Sequence, residues 1–216
     1  MNAPVAAILA AIITCLASGS SPPVGVDAVW TPPEGFLQKA HRDCDGRSGD
    51  ASGSCFLSAM KSAGAPEAAL AFARRTGNQG YLRLFRETGI VDIACAAFPF
   101  RANENDVCFL VNGSPPMIQV DDPKNWDEPA LARNRGYDAL RRRYPNLAIF
   151  PGDRGNSPAI REGARPSGGQ EFAVEYFLQD GCHACARIAS MRLAFDFDPT
   201  GRFEGSRLVT IRLLPH

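Results

Sequence analysis

Apolar residues recur at helical spacing in the first part of the chain and alternate with polar residues in the last part. Helix stop and start signals at Gly64 and Pro66 separate two predicted helices, at about 54–63 and 66–76. Residues 80–88 fit both a helix and a strand, because their apolar positions match either period. The sequence therefore predicts that helices dominate the N-terminal half.

Short apolar segments with a two-residue period predict strands farther along the chain. A helix at 128–144, ended by Pro145 and broken at Gly136, interrupts the series. We expect an α+β fold with helices in the N-terminal half and a mainly antiparallel, disulfide-stapled sheet in the C-terminal half. The predicted strands are 90–98, 107–111, 117–120, 147–150, 172–178, 186–198 and 209–213.

The sequence also predicts a domain organisation. Residues 1–19 have the features of a signal peptide, 20–40 form an extended leader rich in Pro, and 41–216 form a single α+β domain. Within that domain, the Gly and Pro residues of 151–170 predict a long surface loop. The strands that follow this loop are too few to bury a core alone, so we place them in the same domain.

The N-terminus resembles a secretory signal. Its apolar run, 5–17, is shorter than the roughly 20 residues of a membrane span but suits the core of a signal peptide. Ala17 and Gly19 suit a cleavage site. We expect export to the periplasm or the extracellular space, with no membrane span; the alternative is a buried N-terminal helix of a cytosolic protein. A lipid anchor at Cys15 is a further option, although Thr14 fits a lipidation motif poorly.

The cysteines favour an oxidising compartment. The chain contains seven, and removal of the signal peptide with Cys15 leaves an even number. If the turn between two predicted strands centres between residues 101 and 102, Cys95 faces Cys108 at disulfide distance. Reduced thiols in a cytosolic protein are the alternative. The predicted disulfides are Cys44–Cys55, Cys95–Cys108 and Cys182–Cys185.

The segment Cys182-His183-Ala184-Cys185 has the C-x-x-C spacing of thioredoxin-like redox sites. In those sites the motif begins a helix, whose N-terminus stabilises the thiolate. Here a strand is predicted from about residue 186, which favours a structural disulfide. A redox pair with Cys182 as nucleophile and His183 beside it remains an alternative. A metal site would need a further ligand, for which His41 and His216 are the candidates.

Composition and charge exclude several classes of protein. Hydrophobic residues make up 45% of the chain and charged residues 21%, as in an average globular protein. A disordered, fibrous or multi-pass membrane protein is therefore excluded. The formal net charge is zero, so the bulk charge gives no reason to expect a nucleic acid partner.

Two surfaces have a composition that suits binding. Arg101, Asn103 and Asn105 belong to a segment of mixed aromatic and amide residues at the predicted hairpin tip, which suits a recognition loop. A second group is basic and could contact an envelope protein or an anionic polymer; ion pairs with Glu128 and Asp138 on a solvated helix are the simpler explanation. Its members are Arg133, Arg135, Arg141, Arg142, Arg143, Arg154, Arg161 and Arg165.

No hydrolase, metalloprotease or nucleotide-binding motif occurs in the sequence. An Asp-rich segment at 196–201 begins like a calcium loop, but its spacing favours a hairpin turn. We therefore predict an exported, non-catalytic binding or inhibitor-like module of the cell envelope, with no cofactor or metal. The alternative hypothesis is a thiol-disulfide oxidoreductase that uses Cys182 and Cys185.

Overall fold

The computed structural model describes residues 22–44, 49–101, 105–152, 159–182 and 184–215. The predicted signal peptide and the lipid anchor at Cys15 lie outside the described residues, as do Asn103, His183 and His216. The α+β fold class predicted from the sequence is confirmed. The helices are α1 (Phe36–Cys44), α2 (Asp50–Ser62), α3 (Glu67–Arg75), α4 (Glu128–Arg133) and α5 (Arg135–Arg143).

The strands form two antiparallel sheets. They are β1 (Tyr81–Arg86), β2 (Asp92–Ala97), β3 (Asp106–Val111), β4 (Met117–Gln119), β5 (Leu147–Pro151), β6 (Ile160–Ala164), β7 (Gln170–Asp180), β8 (Arg187–Phe197) and β9 (Phe203–Leu213). The first sheet has the order β1-β2-β3-β4. In the second the order is β5-β7-β8-β9, and β6 pairs with the half of β7 that β5 leaves open.

Helices α1, α2 and α3 share an aromatic core with the start of β1. Phe36 of α1 and Phe56 of α2 have ring centroids 6.0 Å apart, and Trp30 packs edge-on against Phe36 at 4.9 Å. The predicted stop at Gly64 is correct, because this residue adopts a φ of 80° that glycine accommodates without strain. The helical layer therefore forms because each short helix buries one apolar face.

Several elements differ from the sequence prediction. Helix α1 begins at Phe36, inside the segment 20–40 predicted as extended, because Phe36 and Ala40 bury one face of a turn. Residues 80–88 contain a strand, which a β-bulge between Leu82 and Leu84 makes irregular. This bulge explains why the apolar pattern also fitted a helix.

Three further predictions were wrong: the start of one helix, the position of a break between two helices, and the extent of a loop. Helix α2 begins four residues before the predicted 54. The break in the helix at 128–144 lies at Asn134, whose side chain accepts hydrogen bonds from the N–H groups of Gly136 and Tyr137 and so caps α5. Part of the predicted loop 151–170 is strand β6, since its backbone pairs with β7 although its sequence does not alternate.

The two sheets share a hydrophobic core. It contains Ile93 and Leu110 from the first sheet and Phe172, Phe195 and many neighbours from the second. The side chain of Gln170 also links them, since its Oε1 accepts a hydrogen bond from the Val91 N–H at 2.8 Å. The second sheet thus packs against one face of the first, helices α4 and α5 add Leu131 and Leu140 to the shared core, and α1 to α3 pack on the first sheet.

The three predicted disulfides are confirmed. The Cα atoms are 5.7 Å apart in Cys44–Cys55, 4.1 Å in Cys95–Cys108 and 5.0 Å in Cys182–Cys185. Residues 95 and 108 are direct partners in the β2–β3 register, as the turn centred between 101 and 102 requires. Each bridge closes a short local loop, which restricts the unfolded chain.

Candidate functional site

A cleft of about 300 Å³ lies where the tip of the β2–β3 hairpin meets the helical layer. We call it the hairpin cleft. Four separate segments contribute to it: the end of α1, the first turn of α2, the turn between α3 and β1, and the hairpin. It is lined by His41, Cys44, Gly49, Ser52, Gly53, Asn78, Gln79, Phe100 and Arg101.

Aromatic contacts hold the hairpin against the helices. The ring of Phe100 lies edge-on to His41, with centroids 4.8 Å apart, and edge-on to the buried Phe56 at 5.2 Å. The guanidinium carbon of Arg101 lies 3.8 Å from the centroid of the Phe98 ring, a cation–π contact. These contacts place a cationic group and an aromatic ring side by side at the cleft.

Another part of the cleft wall depends on a close approach between α2 and the α3–β1 turn. A Cβ atom on Gly53 would lie only 3.0 Å from the carbonyl oxygen of Gly77, so only glycine fits here without movement. Asn78 follows in the left-handed region with φ 61°, which asparagine tolerates better than most residues. The carboxamides of Asn78 and Gln79 are thereby brought to the cleft.

Asn78 Oδ1 is buried and has no hydrogen-bond partner within the part of the chain that the structure describes. Buried acceptors are normally paired, since leaving one unpaired costs about 1–3 kcal/mol. Asn78 therefore contributes to the cleft lining a carboxamide whose oxygen no described residue uses.

The disulfide Cys44–Cys55 holds two of the segments that line the cleft together, because it joins the last residue of α1 to the middle of α2. Cys44 is buried, whereas Ser52 exposes part of its side chain. Gly49 precedes α2 without any side-chain cap. The cleft thus combines a guanidinium, an imidazole, two carboxamides, a hydroxyl and an aromatic ring, which is a set of groups suited to binding a small polar ligand.

The structure separates the three residues predicted as a recognition loop. Arg101 lines the hairpin cleft. Asn105 is exposed, and its backbone carbonyl accepts the N–H of Phe98 at 2.6 Å, so its role in the structure lies in the hairpin ladder. Asn103 lies outside the described residues.

Sequence reasoning missed His41, Ser52, Asn78 and Gln79 as a group. His41 was considered only as a metal ligand. The Asn78-Gln79 pair directly after Gly77 was the one available signal, because polar amides at a helix end often lie in a functional turn. Nothing in the sequence indicates that this turn meets the hairpin.

Cys182 and Cys185 lie in the turn between β7 and β8. The N–H of Cys185 donates to the carbonyl of Cys182 at 2.9 Å, and the N–H of Asp180 donates to the carbonyl of Ala186 at 3.2 Å. The disulfide thus closes the end of a long hairpin, and strand β8 follows it from Arg187. The cysteine pair is remote in sequence from every residue that lines the hairpin cleft.

The predicted basic surface is partly paired. Arg142 forms an ion pair with Asp138, one turn away on α5, and Arg165 forms one with Glu204. Exposed ion pairs of this kind stabilise by about 1 kcal/mol at most. The other arginines of α4 and α5 are exposed along one short stretch, whereas Arg161 lies on strand β6 of the second sheet.

The Asp-rich segment at 196–201 forms the β8–β9 turn. The Asp198 carboxylate accepts hydrogen bonds from the Thr200 hydroxyl at 2.6 Å and from the Arg202 N–H at 3.0 Å. These hydrogen bonds, the Thr200 hydroxyl first, lower the pKa of Asp198 to about 2. The carboxylate is thus used within the turn.

Among the described residues, no group of three or more His, Cys, Asp or Glu side chains could hold a metal ion.

A larger groove of about 640 Å³ runs along α1 and α2. Small residues such as Ala40 and Ala59 dominate its wall, and its Lys39 and Asp43 form an ion pair with each other. Glu34, Arg42, Ser58 and Ser62 also line it, whereas the carboxamides and the imidazole belong to the hairpin cleft.

No protein-family model, curated protein or solved structure matches the chain significantly. None of the helices within the described ranges has the length and apolar character needed to cross a membrane.

Proposed function

We propose that this chain is an exported, disulfide-stapled binding module of the cell envelope, and that it binds its ligand without catalysing a reaction. The observation that carries the proposal is the hairpin cleft, where Arg101, Phe100 and two carboxamides meet on a frame fixed by disulfides. Three disulfides in one chain favour an oxidising compartment. The partner is an envelope protein or an anionic polymer of the envelope.

The chemistry of the cleft supports binding more than catalysis. Among the described residues, its lining holds one imidazole, one guanidinium and the Ser52 hydroxyl, no hydrogen bond joins Ser52 to His41, and Cys44 is in a disulfide. Nucleophilic catalysis needs a nucleophile beside a base that a third group orients. A guanidinium beside carboxamides instead supplies fixed hydrogen bonds to an anionic ligand.

Export predicts a processed N-terminus. The native protein should have an intact mass that corresponds to a chain starting near Ser20 and should fractionate with the envelope. Retention of residues 1–19 in a cytosolic fraction would contradict this.

The mature protein, immobilised as bait, should retain an envelope component that the same protein, reduced and alkylated, does not retain. If the two baits retain the same components, the folded module is not what binds.

The alternative function, a thiol-disulfide oxidoreductase, has weaker support because strand β8, rather than a helix, follows Cys185. Replacing Cys182 and Cys185 together with Ser should lower the free energy of unfolding by about 2 kcal/mol, as expected for a short closed loop, and leave ligand binding intact. In the reduced protein, the alkylation rate should have its midpoint near the ordinary thiol value of about 8.5. A midpoint below about 7 at Cys182, with insulin-reductase activity, would replace the binding module by the oxidoreductase.

A further inference from the structure

Asn112 ties the segment 22–30, which we call the N-terminal strap, to the first sheet. Its Oδ1 accepts a hydrogen bond from the Val24 N–H at 2.8 Å. Its Nδ2 donates to the Val24 carbonyl at 2.8 Å and to Asp92 Oδ2 at 2.7 Å. Both amide hydrogens and the amide oxygen are therefore in use, and one side chain holds both backbone polar groups of Val24.

The N-terminal strap covers apolar surface. Val24 and Ala28 are 5% and 3% exposed, and both belong to the core cluster that contains Phe72 of α3. Farther along the strap, the Trp30 N–H donates to the carbonyl of Leu82 in β1 at 3.0 Å. The hydrogen bonds of Asn112 therefore hold in place a segment that shields part of the core.

The partner of Asn112 on the sheet is a buried carboxylate. Asp92 is 5% exposed, and its Oδ1 accepts the N–H groups of Thr88 at 2.8 Å and Gly89 at 3.3 Å. A carboxylate at position 112 would set its oxygens against Asp92 Oδ2 and against the Val24 carbonyl, and neither contact would contain a donor. The strap is thus held only while residue 112 carries an amide.

Asn112 is followed by Gly113, and an Asn-Gly pair is prone to deamidation because no side chain hinders the backbone nitrogen of the glycine. This nitrogen attacks Cγ of Asn112, ammonia leaves, and a cyclic imide forms. Water then opens the imide to aspartate or isoaspartate. The fold requires this glycine, since a Cβ atom on residue 113 would lie 2.7 Å from the Gly201 carbonyl oxygen and 3.0 Å from Val91 Cγ2.

We propose that Asn112 is a deamidation site and that its reaction releases the N-terminal strap irreversibly. Ammonia leaves only when both hydrogen bonds of Nδ2 break, so the closed strap protects the amide. The carboxylate that forms cannot donate to Asp92 or to the Val24 carbonyl, so the strap does not close again. Isoaspartate also adds a main-chain carbon beside Gly113, which lies close to Gly201. This inference goes beyond the proposed binding function and does not depend on it.

The first test follows the reaction. The oxidised protein is incubated at mildly alkaline pH, both native and unfolded in guanidinium chloride, and peptide mapping measures the conversion of Asn112 to aspartate and isoaspartate. We expect the native protein to react at least about tenfold more slowly, because the strap has to open first. Equal rates would overturn the proposal, since the hydrogen bonds would then give the amide no protection.

The second test examines the product. Asn112→Asp introduces the carboxylate and tolerates the left-handed backbone, where φ is 68°. Hydrogen exchange of the Ala28 and Trp30 amides should become at least about tenfold faster, whereas exchange in β8 should not change. Asn134→Asp is the matched control, because the Asn134 side chain accepts hydrogen bonds from two backbone N–H groups of α5, and a carboxylate can accept the same bonds.

A swapped pair separates the strap contact from a general loss of stability. Asp92→Asn combined with Asn112→Asp restores a donor opposite an acceptor at this contact, so exchange in the strap should be slower than in Asn112→Asp alone. If Asn112→Asp alone does not fold, the swapped pair should recover the fold. Unchanged strap exchange in Asn112→Asp, an equal acceleration in Asn134→Asp, or no recovery in the swapped pair would each overturn the proposal.

Discussion

Replacing Cys95 and Cys108 together with Ala should lower the free energy of unfolding by about 3 kcal/mol or more. The bridge has a sequence separation of 13 residues, and a loop of this size costs the unfolded chain about 3 kcal/mol of entropy. Both residues are buried between the sheets, so the substitution also removes packed sulfur atoms from the core. Equilibrium urea unfolding of the oxidised proteins measures the loss.

The matched control is the double variant of Cys44 and Cys55, whose separation of 11 residues gives nearly the same loop entropy. We expect a smaller loss there, because Cys55 is only partly buried and because the bridge pins no strand register. The β2–β3 bridge holds residues 95 and 108 opposite each other, and a slip by one residue would exchange the side chains of β3 that pack between the sheets with those that pack on its other buried face. If the two double variants lose the same free energy of unfolding, the loop entropy of the unfolded chain accounts for the whole effect of each bridge, and burial and strand register contribute nothing.

The disulfides and the hairpin could be predicted because the information that specifies them is local. Two apolar segments, a polar turn between them and the alternation of side chains are enough to place Cys95 opposite Cys108. The β8–β9 turn was equally predictable, since Asp198 and Gly201 carry its chemistry within four residues. In both cases the spacing alone determines which residues meet.

Elements whose partners are distant in sequence could not be predicted. Strand β6 has only one buried residue, Ile160, and exists because the backbone of β7 is available for pairing. Helix α1 contains few strong sequence signals and is stabilised by contacts of Phe36 with Trp30 and Phe56. Tertiary contacts decide such segments against their local propensity.

The hairpin cleft was unpredictable for the same reason. Arg101 could be selected from its composition and place in a turn, but Asn78 and His41 join it only after three helices and a hairpin have packed together. The residue that couples these parts is apolar: Phe56 contacts Phe100 of the hairpin and Phe36 of α1. A search for polar motifs passes over such a residue, although the geometry of the site depends on it.

Phe56→Ala should therefore have two effects, one on stability and one on the cleft. Phe56 is fully buried in the helical core, and truncation of a buried phenylalanine costs about 3–5 kcal/mol. Phe203→Ala is the matched control: Phe203 is only partly buried at the sheet edge, so the loss should be smaller. Urea unfolding compares the two.

Phe56→Leu keeps most of the apolar volume, so the fold should persist with a loss of about 1 kcal/mol. Leucine offers no aromatic edge to Phe100, whose other ring contact is His41. The amide shifts of Phe100 and Arg101 should then move while those of β7 and β8 stay in place. If Phe56→Leu leaves the hairpin shifts unchanged, or if Phe56→Ala costs less than Phe203→Ala, the helical core does not position the hairpin. The cleft would then depend on the hairpin disulfide alone.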